Sequence, residues 1–251
     1  MRFTYLLVDL CSVALPALFS FHPRLRFYKE FKPYFLGNLI AAICFISWDI
    51  AFTENGVWGF NQAYIIGIRI AGLPIEEILF FFCIPFACVF TFHCLGIFFK
   101  KRKINFRHRW FTTALILILL VLGAVYRERA YTSVTFISAA LLLAFIALFR
   151  NPPWMSSLYL SYLFLLLPFF IVNGILTGTG LNEPVVWYNN SQNLGIRLLT
   201  IPVEDLVYGF ELILLTVFFY KSLKLYFSPG SAERPAARGK SGAKLFISQT
   251  K

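Results

Sequence analysis

Charged side chains are scarce in this sequence: Asp, Glu, Lys and Arg make up 14% of its 251 residues, whereas 59% are hydrophobic. A soluble domain is typically about 25% charged and about 45–50% apolar. The shortage of charge therefore excludes an ordinary soluble domain and indicates a membrane protein. Seven segments approach the roughly 20 apolar residues that a membrane span needs: about 3–21, 34–53, 74–99, 110–126, 131–149, 155–174 and 201–221. We predict an all-α, polytopic membrane protein with seven transmembrane helices.

Several motifs are also missing, and each absence argues against a class of protein. No G-x-G-x-x-G motif opens a βαβ unit, so we expect no flavin. The five cysteines show no C-x-x-C or Cys/His spacing, so we expect no metal. The sequence has no aspartate-rich motif such as D-D-x-x-D, which a polyprenyl transferase would need for its diphosphate substrate. A retinal pigment needs a lysine in its last helix, but the nearest lysines, Lys221 and Lys224, stand only at its end.

Positive charge is unevenly distributed, although the net charge of +11 could suggest nucleic acid as a partner. With seven spans, most of the 23 Lys and Arg residues fall on one side of the membrane. The exceptions are Arg2, Arg69, Arg127, Arg129 and Arg197. Cytoplasmic loops carry an excess of Lys and Arg, so we predict a cell inner membrane protein with its N-terminus outside and its C-terminus in the cytoplasm. The partner of this charge is then membrane lipid and not nucleic acid.

An internal repeat organises the chain. GIRIAGLPIEE at 67–77 recurs as GIRLLTIPVED at 195–205. Upstream, two further pairs match: Trp58 with Trp187, and Asp49 with Asn173. Helices 1–3 would therefore repeat as helices 5–7 in the same orientation, as parallel repeats do in some transporters. A shared site would lie at the seam between the two halves.

The repeat also suggests how the chain is divided. We predict a first repeat at 1–108, a linking helix 4 at 109–128, a second repeat at 129–227 and a tail at 228–251. The tail is rich in Pro, Gly, Ala and basic residues, so we expect it to be flexible and cytoplasmic.

Two adjacent acids follow each proline of the repeated motif: Glu76 and Glu77, then Glu204 and Asp205. Proline fits the first position of a helix, and the helix dipole stabilises carboxylates in the first turn. Each motif alone is therefore compatible with an ordinary helix start. Its repetition favours a functional role. Adjacent residues point about 100° apart on a helix, so at most one acid of each pair should face inward.

The sequence of helix 7 indicates which face of that helix lines a site. Tyr208 and Glu211 lie four and seven residues after Glu204, along one face. Glu211 falls about half way down the helix, where a carboxyl group is costly and is by default a functional candidate. We therefore predict that the Glu204 face lines a cavity and, by the repeat, that the Glu76 face does as well.

Other polar residues are weaker candidates. Asp9 and Asp49 are possible partners of Arg69 or Arg197, although both arginines also fit interfacial snorkelling. The tryptophans of the repeat, Trp58 and Trp187, fit either an aromatic belt at the membrane surface or the site itself.

A carboxylic acid among aromatic rings in a dry site suggests protonation of a carbon–carbon double bond. An alkene is a weak base, so the acid must hold its proton, which burial and a second carboxyl group both favour. The helix dipole opposes this. Aromatic faces stabilise the resulting cation, and excluded water cannot trap it as an alcohol.

With PIEE at 74–77 and PVED at 202–205, each after a tryptophan-containing loop, the chain resembles the integral-membrane lycopene cyclases of the heterodimeric or fused type. The resemblance implies cyclisation of the acyclic ends of lycopene to β-ionone rings, giving γ-carotene and then β-carotene without redox change. It also implies that Glu76, Glu77, Glu204 and Asp205 form the acid/base set, in which Glu76 and Glu204 are our first candidates. The second half differs from the first at Asn173, the position at which the repeat would lead us to expect an equivalent of Asp49.

Two other functions stay open. A carotenoid hydratase of a related membrane family would form the same cation and add water. A proton-coupled transporter or a lipid binder would also use intramembrane acids and a parallel repeat. The sequence leaves open the number of rings formed, one shared site or two, the entry path of the polyene and the oligomeric state.

Overall fold

The structure is a computed structural model that describes residues 2–99 and 108–227. Within these ranges it contains seven α-helices and three small two-stranded sheets. The helices are α1 (Thr4–Phe19), α2 (Phe31–Glu54), α3 (Ile75–Phe98), α4 (His108–Val125), α5 (Ala130–Leu143), α6 (Met155–Leu176) and α7 (Val203–Phe227). A 3₁₀ turn at Phe27–Glu30 leads into α2, and a π-helical segment at Ala144–Arg150 extends α5. The strands are β1 (Trp58–Phe60), β2 (Arg69–Ile70), β3 (Leu73–Pro74), β4 (Val186–Tyr188), β5 (Arg197–Leu198) and β6 (Ile201–Pro202).

Six of these helices, α2 to α7, are long and apolar enough to cross a membrane. The prediction of an all-α polytopic membrane protein is confirmed. The first helix is also apolar but has 16 residues, fewer than the roughly 20 that a typical span uses. The predicted tail at 228–251 lies outside the described residues.

The starts of α1, α3, α5 and α7 lie together at one end of the bundle, which we call the acid end. There the amide of Tyr5 in α1 donates to the carbonyl of Tyr64, in the loop before α3, at 3.2 Å. The amide of Tyr131 in α5 donates in the same way to the carbonyl of Gln192, in the loop before α7, at 2.8 Å. The first helix of each half is therefore fixed to the loop that carries the acid motif.

Each acid motif begins with a tight hairpin, β2–β3 in the first half and β5–β6 in the second. The first hairpin turns through Ala71 and Gly72, both of which have positive φ, as a type I′ turn requires. The amide of Ile75 then bonds the carbonyl of Ile68 at 3.0 Å and starts α3. Pro74 is the cap residue just before the helix, one position earlier than the sequence predicts.

The two halves meet in a third sheet, in which β1 pairs with β4 in antiparallel orientation. Its register joins Trp58 to Tyr188, Gly59 to Trp187 and Phe60 to Val186. The spacing between Glu76 and Glu204 also relates the two strands, because it takes Trp58 to Val186, Gly59 to Trp187 and Phe60 to Tyr188. The strand pair is therefore symmetric about the pair of Gly59 and Trp187. The predicted match of Trp58 with Trp187 is therefore wrong by one residue.

A shift of one residue in a strand moves a side chain to the opposite face. Trp58 is accordingly buried, with 6% of its surface exposed, whereas Trp187 is 44% exposed. Trp187 lies over Gly59, where an added Cβ would come within 2.3 Å of the indole ring. The two tryptophans thus have different environments and cannot share a role.

Helix α2 packs closely along α7, whereas the corresponding helix α6 contacts α3 more loosely. Gly37 allows the close contact, because a Cβ there would lie 2.6 Å from the backbone nitrogen of Tyr220. The helices α3 and α7, which carry the acid motifs, also contact each other, as predicted for the seam. The repeat boundaries at 108, 128 and 227 stay predictions.

Replacing Gly37 with Ala should loosen the contact between α2 and α7, because the added methyl group would meet backbone atoms. Overpacking of this kind typically costs about 1–3 kcal/mol. Thermal unfolding in detergent would measure the loss of stability. Gly96→Ala is the matched control, since a Cβ there meets no atom within 4 Å. An equal effect of both changes would contradict the proposed close packing.

Candidate active site

A cavity of about 350 Å³ lies at the seam between the two halves. Its walls come from α1, α3, α6 and α7, and the β1–β4 sheet covers it at the acid end. Most of the lining is apolar or aromatic, including Phe80, Tyr208 and Leu212. Two carboxyl groups, Glu77 and Asp205, also line it, one from each half.

Glu77 stands in the first turn of α3 and accepts a hydrogen bond from the hydroxyl of Tyr5. The carboxyl group of Asp49, at the far end of α2, lies close enough to Glu77 to interact with it electrostatically. Two neighbouring carboxyl groups repel each other when both are ionised, so the pair favours a state in which one of them carries a proton. Asp49 Oδ2 has no hydrogen-bond partner among the described residues.

Asp49 is 1% exposed and accepts the indole N–H of Trp58 at 2.5 Å. The hydroxyl of Thr53 adds a longer contact of 3.4 Å to the same oxygen. Asp49 therefore lies behind Glu77, away from the cavity, and is held there by Trp58.

Asp205 has the corresponding position at the start of α7, but its partners differ. The hydroxyl of Tyr131 donates to Oδ1 at 2.5 Å and that of Tyr188 to Oδ2 at 3.0 Å. Burial, together with the carboxyl group of Asp205, raises the pKa of Tyr188 well above its usual value, so this hydroxyl keeps its proton. Both oxygens of Asp205 thus accept a hydrogen bond, which suits an ionised carboxylate.

The first acid of each pair points away from the cavity, into the preceding loop. Glu76 accepts the backbone amide of Ile66 at 2.6 Å. Glu204 accepts the amide of Leu194 at 2.7 Å and the hydroxyl of Thr132 at 2.6 Å. Both carboxyl groups are fully buried. Each therefore holds the loop, and Glu204 also holds α5, against the start of its own helix.

The two glutamates of the α7 face chosen from the sequence consequently do not line the cavity. Glu204 and Glu211 share one side of the helix and turn toward α5, where Ser138 donates to Glu211 at 3.1 Å. Tyr208, which was predicted on the same face, does line the cavity, together with Asp205. The prediction that Glu204 and Glu76 line the cavity is wrong, because the next residue of each helix, about 100° further round, faces it.

The two arginines of the repeat make equivalent, local contacts. Arg69 donates to the carbonyl of Gly72 at 2.6 Å, and Arg197 donates to that of Thr200 at 2.7 Å. Each guanidinium group thus closes its own hairpin. The predicted pairing of these arginines with Asp9 or Asp49 is wrong.

The remaining predicted residues are dispersed around the site. Asn173 lines the cavity from α6, in the turn that corresponds to Asp49 in α2. Asp9 is fully buried in α1, and neither of its carboxyl oxygens has a hydrogen-bond partner among the described residues. It lies close enough to Glu76 to interact electrostatically. Trp187 borders a separate surface pocket with Arg197.

Aromatic rings surround the acids. Tyr208 contacts Phe45, Trp48 and Trp58, with ring centroids 5.0, 5.2 and 6.0 Å away. Trp58 also packs edge-on against Tyr131 at 5.1 Å. The cavity wall next to the carboxyl groups is therefore built from ring faces and edges, with few aliphatic side chains.

The tyrosines that hold the acids were missed in the sequence. Tyr5 and Tyr131 start the first helix of each half, and each follows an arginine at a distance of two or three residues. Arg2 and Arg129 reach carbonyl groups of Ile66 and Asn193, so the arrangement is repeated. This Arg–Tyr pattern was the available signal, but its spacing differs by one residue between the halves.

Within residues 2–99 and 108–227, no group of three or more His, Cys, Asp or Glu side chains has an arrangement that could hold a metal ion. The five cysteines are all free thiols.

Fold and site together define a polytopic α-helical membrane protein with a carboxyl group from each half in one apolar cavity. A model of the lycopene cyclase family matches residues 2–95 and 128–223. The chain therefore belongs to the lycopene cyclase family. The two matched segments each include one acid motif.

A curated relative is similar to part of the chain. Over 83 residues, the chain is 32% identical to a bifunctional lycopene cyclase/phytoene synthase of Pyrenophora tritici-repentis (strain Pt-1C-BFP). The aligned part covers 32% of this chain and 14% of that protein. No solved structure gives a significant match.

The contacts of Glu204 predict a structural effect that depends on the substituted residue. Glu204→Ala should lower stability, because a buried N–H group left without an acceptor costs about 1–3 kcal/mol. Glu204→Gln keeps an acceptor oxygen for Leu194 and should stay close to the unmodified protein. Thermal unfolding in detergent would compare the two. Equal stability of both variants would contradict the assigned loop contact.

Proposed function

We propose that this protein cyclises the acyclic end groups of lycopene to β-ionone rings, without redox chemistry, giving γ-carotene and then β-carotene. Membership of the lycopene cyclase family supports the reaction class. The single observation that carries the mechanism is that Glu77 and Asp205, one from each half, line the same aromatic cavity. An acid and a base on one wall are what a proton-in, proton-out cyclisation requires.

Glu77 is the proton donor in this proposal. In this mechanism it shares a proton with Asp49, whose carboxyl group lies beside it, and the indole N–H of Trp58 stabilises negative charge on Asp49. The proton then resides on Glu77, which is the member of the pair that faces the cavity. Transfer of this proton to C2 of the end group leaves a cation at C1 and an anion shared by Asp49 and Glu77.

Asp205 is the base. Its two hydrogen bonds from Tyr131 and Tyr188 stabilise the ionised form, so it can accept a proton. The C5=C6 bond attacks the cation at C1 and closes the ring, which moves the positive charge to C5. Loss of the proton at C6 to Asp205 forms the C5=C6 double bond of the β-ionone ring.

The protons balance over one turnover. Glu77 gives one proton and Asp205 takes one, so the substrate and product have the same mass. The site returns to its starting state when one proton passes from Asp205 back to the pair of Glu77 and Asp49.

The cavity wall protects the cationic intermediates. Ring faces stabilise a desolvated cation by about 2 kcal/mol or more, and Trp58, Tyr208 and Phe80 stand beside the acids. The β1–β4 sheet covers the cavity at the acid end, where water would otherwise have access. Excluding water prevents capture of the cation as an alcohol.

The positive-inside bias supports an inner-membrane location with the acid end facing outward. Glu76 and Glu204 are positioning residues in this proposal, because they hold the loops and do not line the cavity.

The first test is expression in a lycopene-accumulating bacterium, followed by chromatography and mass spectrometry of the pigments. A product isomeric with lycopene and with the spectrum of β-rings is expected. A gain of one water would indicate a hydratase. Unchanged lycopene, with the protein present in the membrane, would contradict the proposal and favour transport or lipid binding.

Glu77→Gln should abolish most of the activity, because it removes the transferable proton while keeping the size of the side chain. The loss should be about 10²–10⁴-fold, as for other general acids. Pigment conversion per unit of membrane-inserted protein is the measurement. The matched control is the neighbouring Glu76→Gln, which keeps the acceptor for Ile66 and should retain most of the activity. A greater loss in Glu76→Gln would reverse these two roles and favour the assignment expected from the sequence.

Asp205→Asn should alter the last step, because the amide is a poor base. We expect either a large loss of product or rings whose double bond has formed elsewhere, since the cation at C5 can also lose a proton from C4 or from its methyl group. Pigment spectra and NMR distinguish these rings. Unchanged yield of β-rings would exclude Asp205 as the base.

A further inference from the structure

The cavity is not symmetric, although both halves contribute an acid to it. Near the acids it is lined from both halves, but further down its lining comes from α1, α3, α6 and α7 and not from α2, α4 or α5, so it extends toward the side of α1 and α6. On that side Phe169 and Val172 of α6 line its wall. In the repeat, Asn173 of α6 corresponds to Asp49 of α2. By the same spacing, Phe169 and Val172 correspond to Phe45 and Trp48 of α2.

Those two α2 side chains close the opposite side. Phe45 and Trp48 pack against Tyr208, with centroids 5.0 and 5.2 Å from its ring. Below them, Gly37 lets α2 lie against the backbone of α7. Packing of α2 against α7 therefore fills the space that corresponds to the part of the cavity between α6 and α3.

The open side faces the hydrocarbon region. Cys11 and Leu15 of α1 line the cavity and are also exposed on the surface of the bundle, Leu15 by 64%. Pro168 of α6 borders the same opening. At the acid end, in contrast, the covering residues Trp58 and Phe60 are buried. The way into the cavity therefore leads from the bilayer and not from water.

The size of the cavity limits what can enter. Its 350 Å³ lies at the lower end of the range of about 300–1,000 Å³ for small-molecule sites. A ring-forming end group fits this space, whereas the rest of a long linear polyene must remain outside.

We propose that the opening between α1 and α6 is the entrance through which one end of the polyene reaches the acids, while the remaining chain stays in the lipid. This inference rests on the proposed cyclase function. The two ends of the substrate then react in separate visits to one site, and the one-ring product leaves before the second ring forms.

A second cavity of about 550 Å³ provides a control. It lies among α4, α5, α6 and α7 and has no carboxyl group in its lining. Leu163 of α6 borders it and is 65% exposed, nearly the same as Leu15. The two leucines thus form a matched pair on different openings.

The test compares Leu15→Trp with Leu163→Trp in lycopene-accumulating cells, at equal amounts of membrane-inserted protein. Leu15→Trp should narrow the entrance and lower conversion about tenfold, which corresponds to about 1.4 kcal/mol in the barrier. It should also raise the ratio of one-ring to two-ring product, because each visit is slowed. Leu163→Trp should behave as the unmodified protein. Equal loss in both, or loss in neither, would overturn the proposed entrance.

A natural cysteine allows a second test on the folded protein. Cys11 borders the entrance, whereas Cys44, which is also exposed, lies on α2. The reagent is a bulky, membrane-soluble thiosulfonate that forms a reducible disulfide. It should inhibit the Cys44→Ser variant, which keeps Cys11, more than the Cys11→Ser variant, each compared with its own untreated activity. A reductant should restore the activity. Equal inhibition of the two variants would overturn the proposal.

The unmodified, unlabelled protein separates the two levels of inference. If it forms no cyclised pigment, the proposed function fails and the entrance has no substrate. If it forms cyclised pigment but the paired variants do not differ, the function stands and the entrance is wrong.

Discussion

Carboxyl groups inside a membrane need partners from the protein itself, and this requirement shapes the structure around the acid end. Water is not available to replace a missing hydrogen bond in hydrocarbon. The second acids, Glu77 and Asp205, are therefore held by tyrosines from the first helix of each half, and Tyr188 of β4 completes the set around Asp205. The first acids instead hold the loops that precede them. The two acids of each pair thus have different contacts: the first holds a loop, and the second faces the cavity.

The repeat gives each half the same framework but a different chemical state. Asp49 brings a second carboxyl group to Glu77, whereas Asp205 is held by two tyrosine hydroxyls. Asn173, at the position equivalent to Asp49, has no charge. A single pattern of helices and hairpins therefore yields one group with a second carboxyl group beside it and one that accepts hydrogen bonds on both oxygens. In our proposal the two halves have distinct roles because the side chains around Glu77 and Asp205 differ, more than because the two acids differ.

The helices and a cavity at the seam between the halves could be predicted from the sequence, because long apolar segments and a repeated motif are local signals. The orientation of the acids could not. Neighbouring residues of a helix differ by about 100°, and the choice between Glu204 and Asp205 depends on where α5 packs. Glu211 misled the prediction, since a buried carboxyl can face a serine of the next helix as well as a cavity. Tyr5 and Tyr131 were missed because they are distant in sequence from the acids that they hold.

The sheet between the two halves depends on a difference between their strands, β1 and β4. Its central pair lies on the axis of the repeat, so two copies of the same strand would bring identical residues together at this point. Two copies of β4 would oppose two tryptophans, yet the indole of Trp187 already occupies the space where Gly59 has no side chain. Two copies of β1 would oppose two glycines and leave that space unfilled. The fit of a large side chain over a residue without one therefore suits a contact between two unlike strands better than a contact between two copies of the same strand.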